Sequence, residues 1–333
     1  MKICVYGAGA IGGLMAAWLS RAGHEVSVIA RGAQLEAIQR EGLRVRSKGS
    51  TESFRVRAES DATKLGPQDY VLVTVKAQSL PGVAETIAPL LGKETSVMTA
   101  MNGVPWWFFH GLKGPDARLE SLDPGGRLSR AISTERIVGC VIHLAASTPE
   151  PGVVSHNMGL KLIVGEPGGR NSARTRRIAQ ALTTAGFEVV VTQAIEKEFW
   201  VKLLGNVSFN PVSALTVTTA DQLIANQEVK AYMVEIMREV LAIGRAVGVD
   251  ADIDPEARID MARALGRFKT SMLQDLEAGK PLEIDGLLAG TLEIARKAGV
   301  RAPYTESLYG LIRARAQSTG QIWKRVSAPV LTR

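Results

Sequence analysis

One segment in the second half of the chain carries a lysine and two asparagines at a spacing that could support chemistry. Lys202, Asn206 and Asn210 are four residues apart, so a helix would present them on one face. Phe199, Leu203 and other apolar residues flank that face, and partial desolvation makes a lysine ammonium a better proton donor. The segment is interpreted either as a catalytic lysine with polar neighbours or as a lysine that reaches solvent beside two packing amides.

A second polar segment lies about 70 residues further along, from Lys269 to Asp285. Its polar side chains, including Ser271 and Glu283, alternate with apolar residues such as Met272. A Gly-Lys-Pro turn precedes Glu283 and could deliver its carboxylate into a cleft. Capping of the helix that follows is the alternative role for Glu283 or Asp285.

The N-terminus has the pattern of a phosphate-binding turn. The apolar run Ile3–Tyr6 predicts a buried strand, and a helical pattern continues to Gly23 before a second strand at Glu25–Ala30. A G-x-G-x-x-G turn joins the first strand to the helix. In that motif the glycines allow a tight turn, backbone approach to a pyrophosphate and close helix–strand packing, so the segment predicts dinucleotide binding. The turn residues expected to bind the cofactor are Gly7, Ala8, Gly9, Ala10, Ile11 and Gly12.

The end of the second strand indicates which dinucleotide binds. An NAD site usually has Asp or Glu there to hold the ribose hydroxyls, but this chain has Ala30, Arg31 and Gly32. A guanidinium can bind a 2′-phosphate, which a carboxylate would repel. Arg31 therefore predicts NADP(H), with a solvated loop arginine as the alternative.

Composition narrows the class of protein. The length of 333 residues favours two domains, and the hydrophobic content of 46% is ample for their cores. No apolar run is long enough for a membrane span. The net charge of +7 suits anionic ligands, whereas scattered basic residues argue against nucleic-acid binding. No His/Cys/Asp spacing suggests a metal site. Cys4 and Cys140 are expected to be buried free thiols in a reducing, cytoplasmic setting, and we expect no signal peptide.

Strands and helices alternate in the first half, which predicts a parallel sheet with crossover helices. The fold class expected is an α/β N-terminal Rossmann-type dinucleotide-binding domain, residues 1–194, followed by an all-α C-terminal domain, residues 195–333. Residues 104–130 interrupt the pattern as an insertion, and its aromatic start is either a lid over the substrate or a packing element. Further strands are expected at 137–146, 152–156, 161–164 and 187–191, and further helices at 172–185, 198–209, 230–247, 286–298 and 304–317.

Polar residues follow two of the predicted strands. Lys76 comes directly after the strand Tyr70–Val75, and Asn102 follows the strand Ser96–Ala100. Together with the glycine turn, the K-x-x-x-N-x-x-x-N-P helix and the S-M-x-x-D-x-x-x-x-x-x-E-I-D segment, these sites resemble the ketopantoate reductase (2-dehydropantoate 2-reductase) family over nearly the whole chain.

The resemblance implies a set of roles. In that family an N-terminal Rossmann domain binds NADPH and a helical domain closes over a ketoacid. Lys202 would then be the catalytic lysine and Glu283 its acidic partner, with Asn102 and Lys76 between the nicotinamide ribose and the substrate. Hydride attack on a 2-keto acid builds negative charge that a lysine can stabilise and protonate. The residues that would hold the substrate are Asn102, Asn206, Asn210 and Ser271.

Two departures from the family pattern bear on the substrate. Val104-Pro-Trp-Trp and the long insertion follow Asn102-Gly103, and Ala220 stands where some members have asparagine. The expected function is NADPH-dependent reduction of 2-dehydropantoate, a step of pantothenate biosynthesis. A reductase for another bulky 2-oxo acid and a non-catalytic NADP-binding redox sensor are the alternatives. A homodimer is also an expectation.

Overall fold

The computed structural model describes residues 1–112, 118–264 and 266–322, which form two compact units. The first unit comprises Met1–Lys202 with Val247–Val249, and the second comprises Leu203–Ala246 with the described residues from Asp250 onward. The units divide within a single helix. Residues 113–117 of the predicted insertion and residues 323–333 of the predicted second domain lie outside the described residues.

In the first unit, the described residues contribute ten strands to one sheet. Its order is β4-β3-β9-β8-β7-β6-β1-β2-β5, and β10 pairs with β9 beside this path. The strands are β1 (Lys2–Tyr6), β2 (Glu25–Ile29), β3 (Leu43–Ser47), β4 (Ser50–Phe54), β5 (Arg57–Glu59), β6 (Gln68–Val73), β7 (Leu91–Thr99), β8 (Ile137–Glu150), β9 (Val153–Gly165) and β10 (Glu188–Val191).

The strands that matter for the site run parallel. β1 pairs with β2 on one side and with β6 on the other, and β6 pairs with β7. The chain therefore leaves β1 first towards one edge of the sheet and later returns on its other side. This reversal makes a crevice at the carboxyl ends of the strands, where α/β sheets commonly bind ligands.

The helices of the first unit pack on this sheet. They are α1 (Ala10–Arg21), α2 (Gly32–Glu41), α3 (Leu80–Thr86), α4 (Arg127–Ala131), α5 (Ala173–Ala185) and the start of α6 (Ile195–Thr216). α1 contacts β1, β2, β8 and β9 and also lies against α5. Its fully buried Leu14, Met15 and Leu19 share a core with Ile3 and Val5 of β1. Burial of this apolar face is what holds α1 against the face of the sheet.

The strands predicted separately at 152–156 and 161–164 are one continuous strand, β9. Residues 157–160 resemble a turn in sequence, but Met158 pairs with Ala145 across the antiparallel β8–β9 ladder. The register shifts near His143 and Ser147 absorb the irregularity. Cross-strand pairing therefore continues on both sides of an irregularity at Gly159, whose φ is +73°, although the local sequence favours a turn.

The aromatic start of the insertion belongs to the core of the first unit. Trp106, Trp107, Phe108 and Phe109 are no more than 3% exposed. Trp107 packs edge-on against Phe199, with ring centroids 5.4 Å apart, and its indole N–H donates to Thr99 Oγ1 over 3.1 Å. These contacts favour the packing alternative over the lid for this part of the insertion.

The second unit is helical. Its described elements are the remainder of α6, α7 (Ala220–Ala225), α8 (Gln227–Ala246), α9 (Pro255–Arg263), α10 (Ser271–Glu277), a π-helical turn (Asp285–Ala289), α11 (Gly290–Lys297) and α12 (Pro303–Ser318). α6 was expected to end at Phe209, but it continues through Pro211 to Thr216. Asp254 caps α9 by accepting from the Ala257 N–H over 2.9 Å, with Pro255 in the first helical position. The helices in the described residues all fall short of the length and apolarity that a membrane span requires.

Both cysteines are free and buried in the first unit, as expected. Cys4 lies in β1 and Cys140 in β8. Burial raises the pKa of each thiol to about 12, because the charged thiolate would lose its hydration. Both side chains therefore act as small apolar residues of the sheet.

Candidate active site

The glycine turn brings the start of α1 very close to β1. Gly7 has a φ of +111°, a conformation that favours glycine. A Cβ on Gly12 would lie 2.0 Å from the Gly7 carbonyl oxygen and 2.3 Å from Thr74 Oγ1. Because no side chain fits there, Gly12 is what permits the tight junction between strand and helix.

Gly9 has the opposite environment. It is the N-cap residue of α1, and a Cβ built on it would meet no atom within 4 Å. The first turn of α1 has no acidic residue, and the cap has no side-chain hydrogen bond. The backbone N–H groups and the positive end of the helix dipole thus adjoin open space. This arrangement fits the pyrophosphate of a dinucleotide.

Arg31 lies just beyond the carboxyl end of the neighbouring strand β2. It is the exposed N-cap residue of α2, with an extended backbone. Its guanidinium extends towards α3, since Nη2 would be 3.6 Å from a Cβ on Gly82. A guanidinium at this position could meet a phosphate on the ribose, and the role of Arg31 in selecting NADP(H) stays a prediction.

Lys76 and Asn102 follow the strands on the other side of β1. Lys76 comes three residues after the end of β6, and Asn102 comes three residues after the end of β7. The parallel order β7-β6-β1-β2 therefore arranges Asn102, Lys76, the glycine turn and Arg31 along one edge. Neighbouring strands are about 4.8 Å apart, so this edge offers an extended row of sites for a dinucleotide.

Lys202 lies at the same edge, because it is hydrogen-bonded to Asn102. Its Nζ donates to Asn102 Oδ1 over 2.8 Å, and both residues are partly buried. The positive charge of Lys202 also lies near Cys140, where it opposes the effect of burial on the pKa of the thiol. The structure thus brings the predicted catalytic lysine to the carboxyl end of β7.

Aromatic packing on two consecutive residues, Phe199 and Trp200, holds the N-terminal part of α6. Besides the contact of Trp107 with Phe199, Phe108 packs against Trp200, with ring centroids 5.2 Å apart. A Cβ on Gly139 of β8 would lie 2.8 Å from the Trp107 ring and 3.1 Å from the Phe199 ring. Since β8 offers no side chain at Gly139, the rings of Trp107 and Phe199 can lie directly on the sheet, and Phe199 is three residues before Lys202.

In the second unit, Asn210 is joined to Ser271 at the start of α10. Asn210 Nδ2 donates to Ser271 Oγ over 3.3 Å, and Ser213 Oγ and Thr270 Oγ1 are 2.5 Å apart. Thr270 is also the N-cap of α10, accepting from the Leu273 N–H over 3.2 Å. These bonds tie two of the predicted substrate residues together. Asn206 is one helical turn before Asn210 on α6 and is partly exposed.

Glu283 is held on a short segment between α10 and the π-helical turn. Leu282 and Ile284 on either side are buried, while Glu283 itself is partly exposed. The buried amide of Gln321 donates to the carbonyl oxygens of Lys280, over 2.8 Å, and of two residues in α10, and the Gln321 carbonyl accepts from the Leu282 N–H over 3.1 Å. Gln321 was not singled out from the sequence, because only the fold brings it to this segment.

No group of three or more His, Cys, Asp or Glu side chains in the described ranges is arranged to hold a metal ion. The predicted site residues fall into two sets, one in each unit. The first unit holds the glycine turn, Arg31, Lys76, Asn102 and Lys202, and the second holds Asn206, Asn210, Ser271 and Glu283. The pairing of Lys202 with Glu283 and the individual binding roles stay predictions.

Parallel central strands with a glycine turn at their switch point, and a lysine at the same edge, define a dinucleotide-binding protein of the Rossmann type. The family model described as ketopantoate reductase PanE/ApbA matches residues 3–169, and the model of its C-terminal domain matches residues 194–316. The chain therefore belongs to the ketopantoate reductase family.

Individual relatives are similar to this chain over almost its full length. The chain is 44% identical over 323 residues to a 2-dehydropantoate 2-reductase of Mesorhizobium japonicum, covering 96% of this chain and 99% of the relative. A solved structure from Ralstonia solanacearum MolK2, described as a candidate ketopantoate reductase, is 46% identical with a TM-score of 0.93, covering 97% and 99% of the two chains. A 2-dehydropantoate 2-reductase structure from Geobacter metallireducens GS-15 is 29% identical with a TM-score of 0.84, covering 95% and 100%.

These similarities confirm several predictions made from the sequence. The family, the α/β Rossmann-type domain followed by a helical domain, and the oxidoreductase class are all confirmed. Membership of this family also implies a nicotinamide cofactor and a small ketoacid substrate.

Proposed function

We propose that this protein reduces a 2-keto acid with NADPH and that 2-dehydropantoate, which would yield pantoate, is the leading substrate. The observation that carries the proposal is the 2.8 Å hydrogen bond from Lys202 to Asn102 at the edge that also bears the glycine turn. It supports a proton donor held beside a dinucleotide. The 44% identity to a 2-dehydropantoate 2-reductase supports the substrate.

The chemistry assigned to Lys202 follows from charge. When bound, NADPH supplies a hydride to the carbonyl carbon of the ketoacid. The Lys202 ammonium stabilises the negative charge that develops on the carbonyl oxygen and then gives that oxygen a proton. Asn102 Oδ1, an acceptor, orients the ammonium without neutralising it.

The second unit is assigned to substrate binding. Asn206, Asn210 and Ser271 offer neutral hydrogen-bonding groups suited to the carboxylate and hydroxyl of a ketoacid. The Asn210–Ser271 bond supports a common role for these two residues. Glu283 is assigned the role of orienting Lys202 or binding a substrate hydroxyl, and the anchoring of its segment by Gln321 supports a fixed position for its carboxylate.

The preference for NADPH rests on Arg31. It occupies the end of β2, where an NAD-specific site would usually have a carboxylate, and its exposed guanidinium is available to a 2′-phosphate. Lys76, three residues after β6, is assigned to the nicotinamide side of the cofactor.

A panel of 2-oxo acids tests the function. The purified protein is mixed with NADPH and each acid, and the loss of NADPH absorbance is followed. We expect the highest kcat/KM with 2-dehydropantoate. A higher value with another branched acid would identify a different reductase, whereas NADPH binding without oxidation by any acid would identify the redox sensor.

A further inference from the structure

Arg258, in the first half of α9, contacts α6 at a glycine. A Cβ built on Gly205 would lie 2.5 Å from Arg258 Nη2 and 3.1 Å from its Cζ. The guanidinium thus occupies space that any other residue at position 205 would fill. Gly205 directly precedes Asn206, one of the residues assigned to the substrate.

Among the described residues, no carboxylate pairs with the Arg258 guanidinium. Within residues 1–112, 118–264 and 266–322, no hydrogen bond or ion pair of its side chain is present. The acidic residues nearest in sequence are engaged elsewhere: Asp254 caps α9, Glu256 pairs with Lys230 over 2.5 Å, and Asp260 pairs with Arg263.

The position of the Arg258 charge lowers the stability of the fold. Arg258 is half-buried, and burial lowers the pKa of its guanidinium because the charge loses hydration. A positive charge in the first half of a helix also opposes the helix dipole. An uncompensated, partly desolvated cation of this kind is stabilised when an anion binds to it.

We propose that Arg258, placed against Gly205 of α6, binds the carboxylate of the 2-oxo acid together with the neutral hydrogen-bonding groups assigned to the substrate above. The planar guanidinium can hold a carboxylate through two parallel hydrogen bonds, a geometry that a lysine cannot reproduce. Gly205 gives the guanidinium room to lie against the helix. The inference rests on the proposed reductase function for its substrate class.

Kinetics test the role with variants at both contacting positions. For Arg258→Gln we expect the KM of the ketoacid to rise at least tenfold, with kcat changed less than threefold and the KM of NADPH unchanged. Arg258→Lys should recover part of the loss. Gly205→Ala should raise the KM of the ketoacid, and it should add nothing in the Arg258→Gln background. Arg263→Gln is the matched control, since this arginine of α9 is exposed and already paired with Asp260.

A binding experiment separates this inference from the proposed function. Oxalate, a planar dicarboxylate that resembles a 2-oxo acid, is titrated calorimetrically into the NADP-loaded wild type and the same variants. We expect the Kd to rise at least tenfold in Arg258→Gln and to stay unchanged in Arg263→Gln. Equal oxalate affinity of wild type and Arg258→Gln, or no oxalate binding by the wild type, overturns the role of Arg258. Absence of turnover with every acid, with the oxalate difference intact, overturns the reductase function alone.

Discussion

Lys202 and Asn102 are 100 residues apart in the chain, and their side chains are joined by a hydrogen bond of 2.8 Å. One residue lies on α6 and the other follows β7, so the bond links a helix to the carboxyl edge of the sheet. It restricts where the ammonium can lie, and accurate positioning of a proton donor is a large part of its catalytic value.

The first prediction concerns this pair. Lys202→Ala should lower kcat by about 100-fold or more, because a proton donor and an oxyanion partner are lost together. Asn102→Ala should cause a smaller loss of kcat, since the ammonium remains but is less well oriented. Steady-state kinetics and NADPH titrations measure both effects, and NADPH affinity of Lys202→Ala should stay near that of the wild type.

Lys197→Ala is the control for Lys202, because Lys197 is an exposed lysine of the same helix. It should keep normal kinetics. If Lys202→Ala keeps most of its turnover, Lys202 has no part in the mechanism.

The second prediction concerns Glu283. Glu283→Gln keeps the shape of the side chain and removes its charge, so kcat/KM should fall. If Glu283 acts through Lys202, the double variant Lys202→Ala/Glu283→Gln should lose less than the sum of the two single losses. Strict additivity of the free-energy changes would show that the residues act independently.

The third prediction concerns the cofactor. Arg31→Ala should weaken NADPH binding by about 1.5–3 kcal/mol, the size of a charge-assisted hydrogen bond, and should affect NADH far less. Titrations with both cofactors measure the difference. Arg40→Ala, an exposed arginine of α2 paired with Glu41 over 2.6 Å, is the control. Equal losses for NADPH and NADH in Arg31→Ala would argue against a 2′-phosphate contact.

The fourth prediction separates two glycines of the turn. Gly12→Ala forces a Cβ to within 2.0 Å of a carbonyl oxygen, so the free energy of unfolding should fall by about 1–3 kcal/mol or more. Gly9→Ala places its Cβ in open space, so stability should change little while NADPH affinity falls. Thermal unfolding and NADPH titration of both variants test this contrast. Normal NADPH affinity in Gly9→Ala would mean that the pyrophosphate does not approach this residue.

The fifth prediction concerns the aromatic start of the insertion. Trp107→Ala should lower the free energy of unfolding by about 3–5 kcal/mol, because a core aromatic residue is lost. Trp107→Phe keeps an aromatic ring but removes the hydrogen bond to Thr99 and part of the buried ring volume, so it should cost less than Trp107→Ala, about 1–3 kcal/mol. The relative kcat/KM values among ketoacids of different bulk should not change in Trp107→Phe. A changed ranking, with stability unaffected, would restore the lid interpretation.

Local features of this protein could be predicted from its sequence. The glycine turn, the order of the first strands and helices, and the start of α9 at Asp254 follow from residue spacing, capping and apolar periodicity. These features depend on contacts between residues that are near one another in the chain. The sequence also placed Arg31, Lys76 and Asn102 at strand ends, since the carboxyl ends of parallel strands share one edge.

Only the tertiary structure decided which distant groups meet. The Lys202–Asn102 bond, the burial of Trp107 against Phe199 and the contact of Arg258 with Gly205 join residues 53 to 100 positions apart. α6 continues through Pro211, and β9 keeps pairing with β8 on both sides of a segment whose sequence suggests a turn, because long-range packing and cross-strand pairing outweigh local preference. Such pairings depend on how whole elements pack, and residue spacing alone carries no information about that packing.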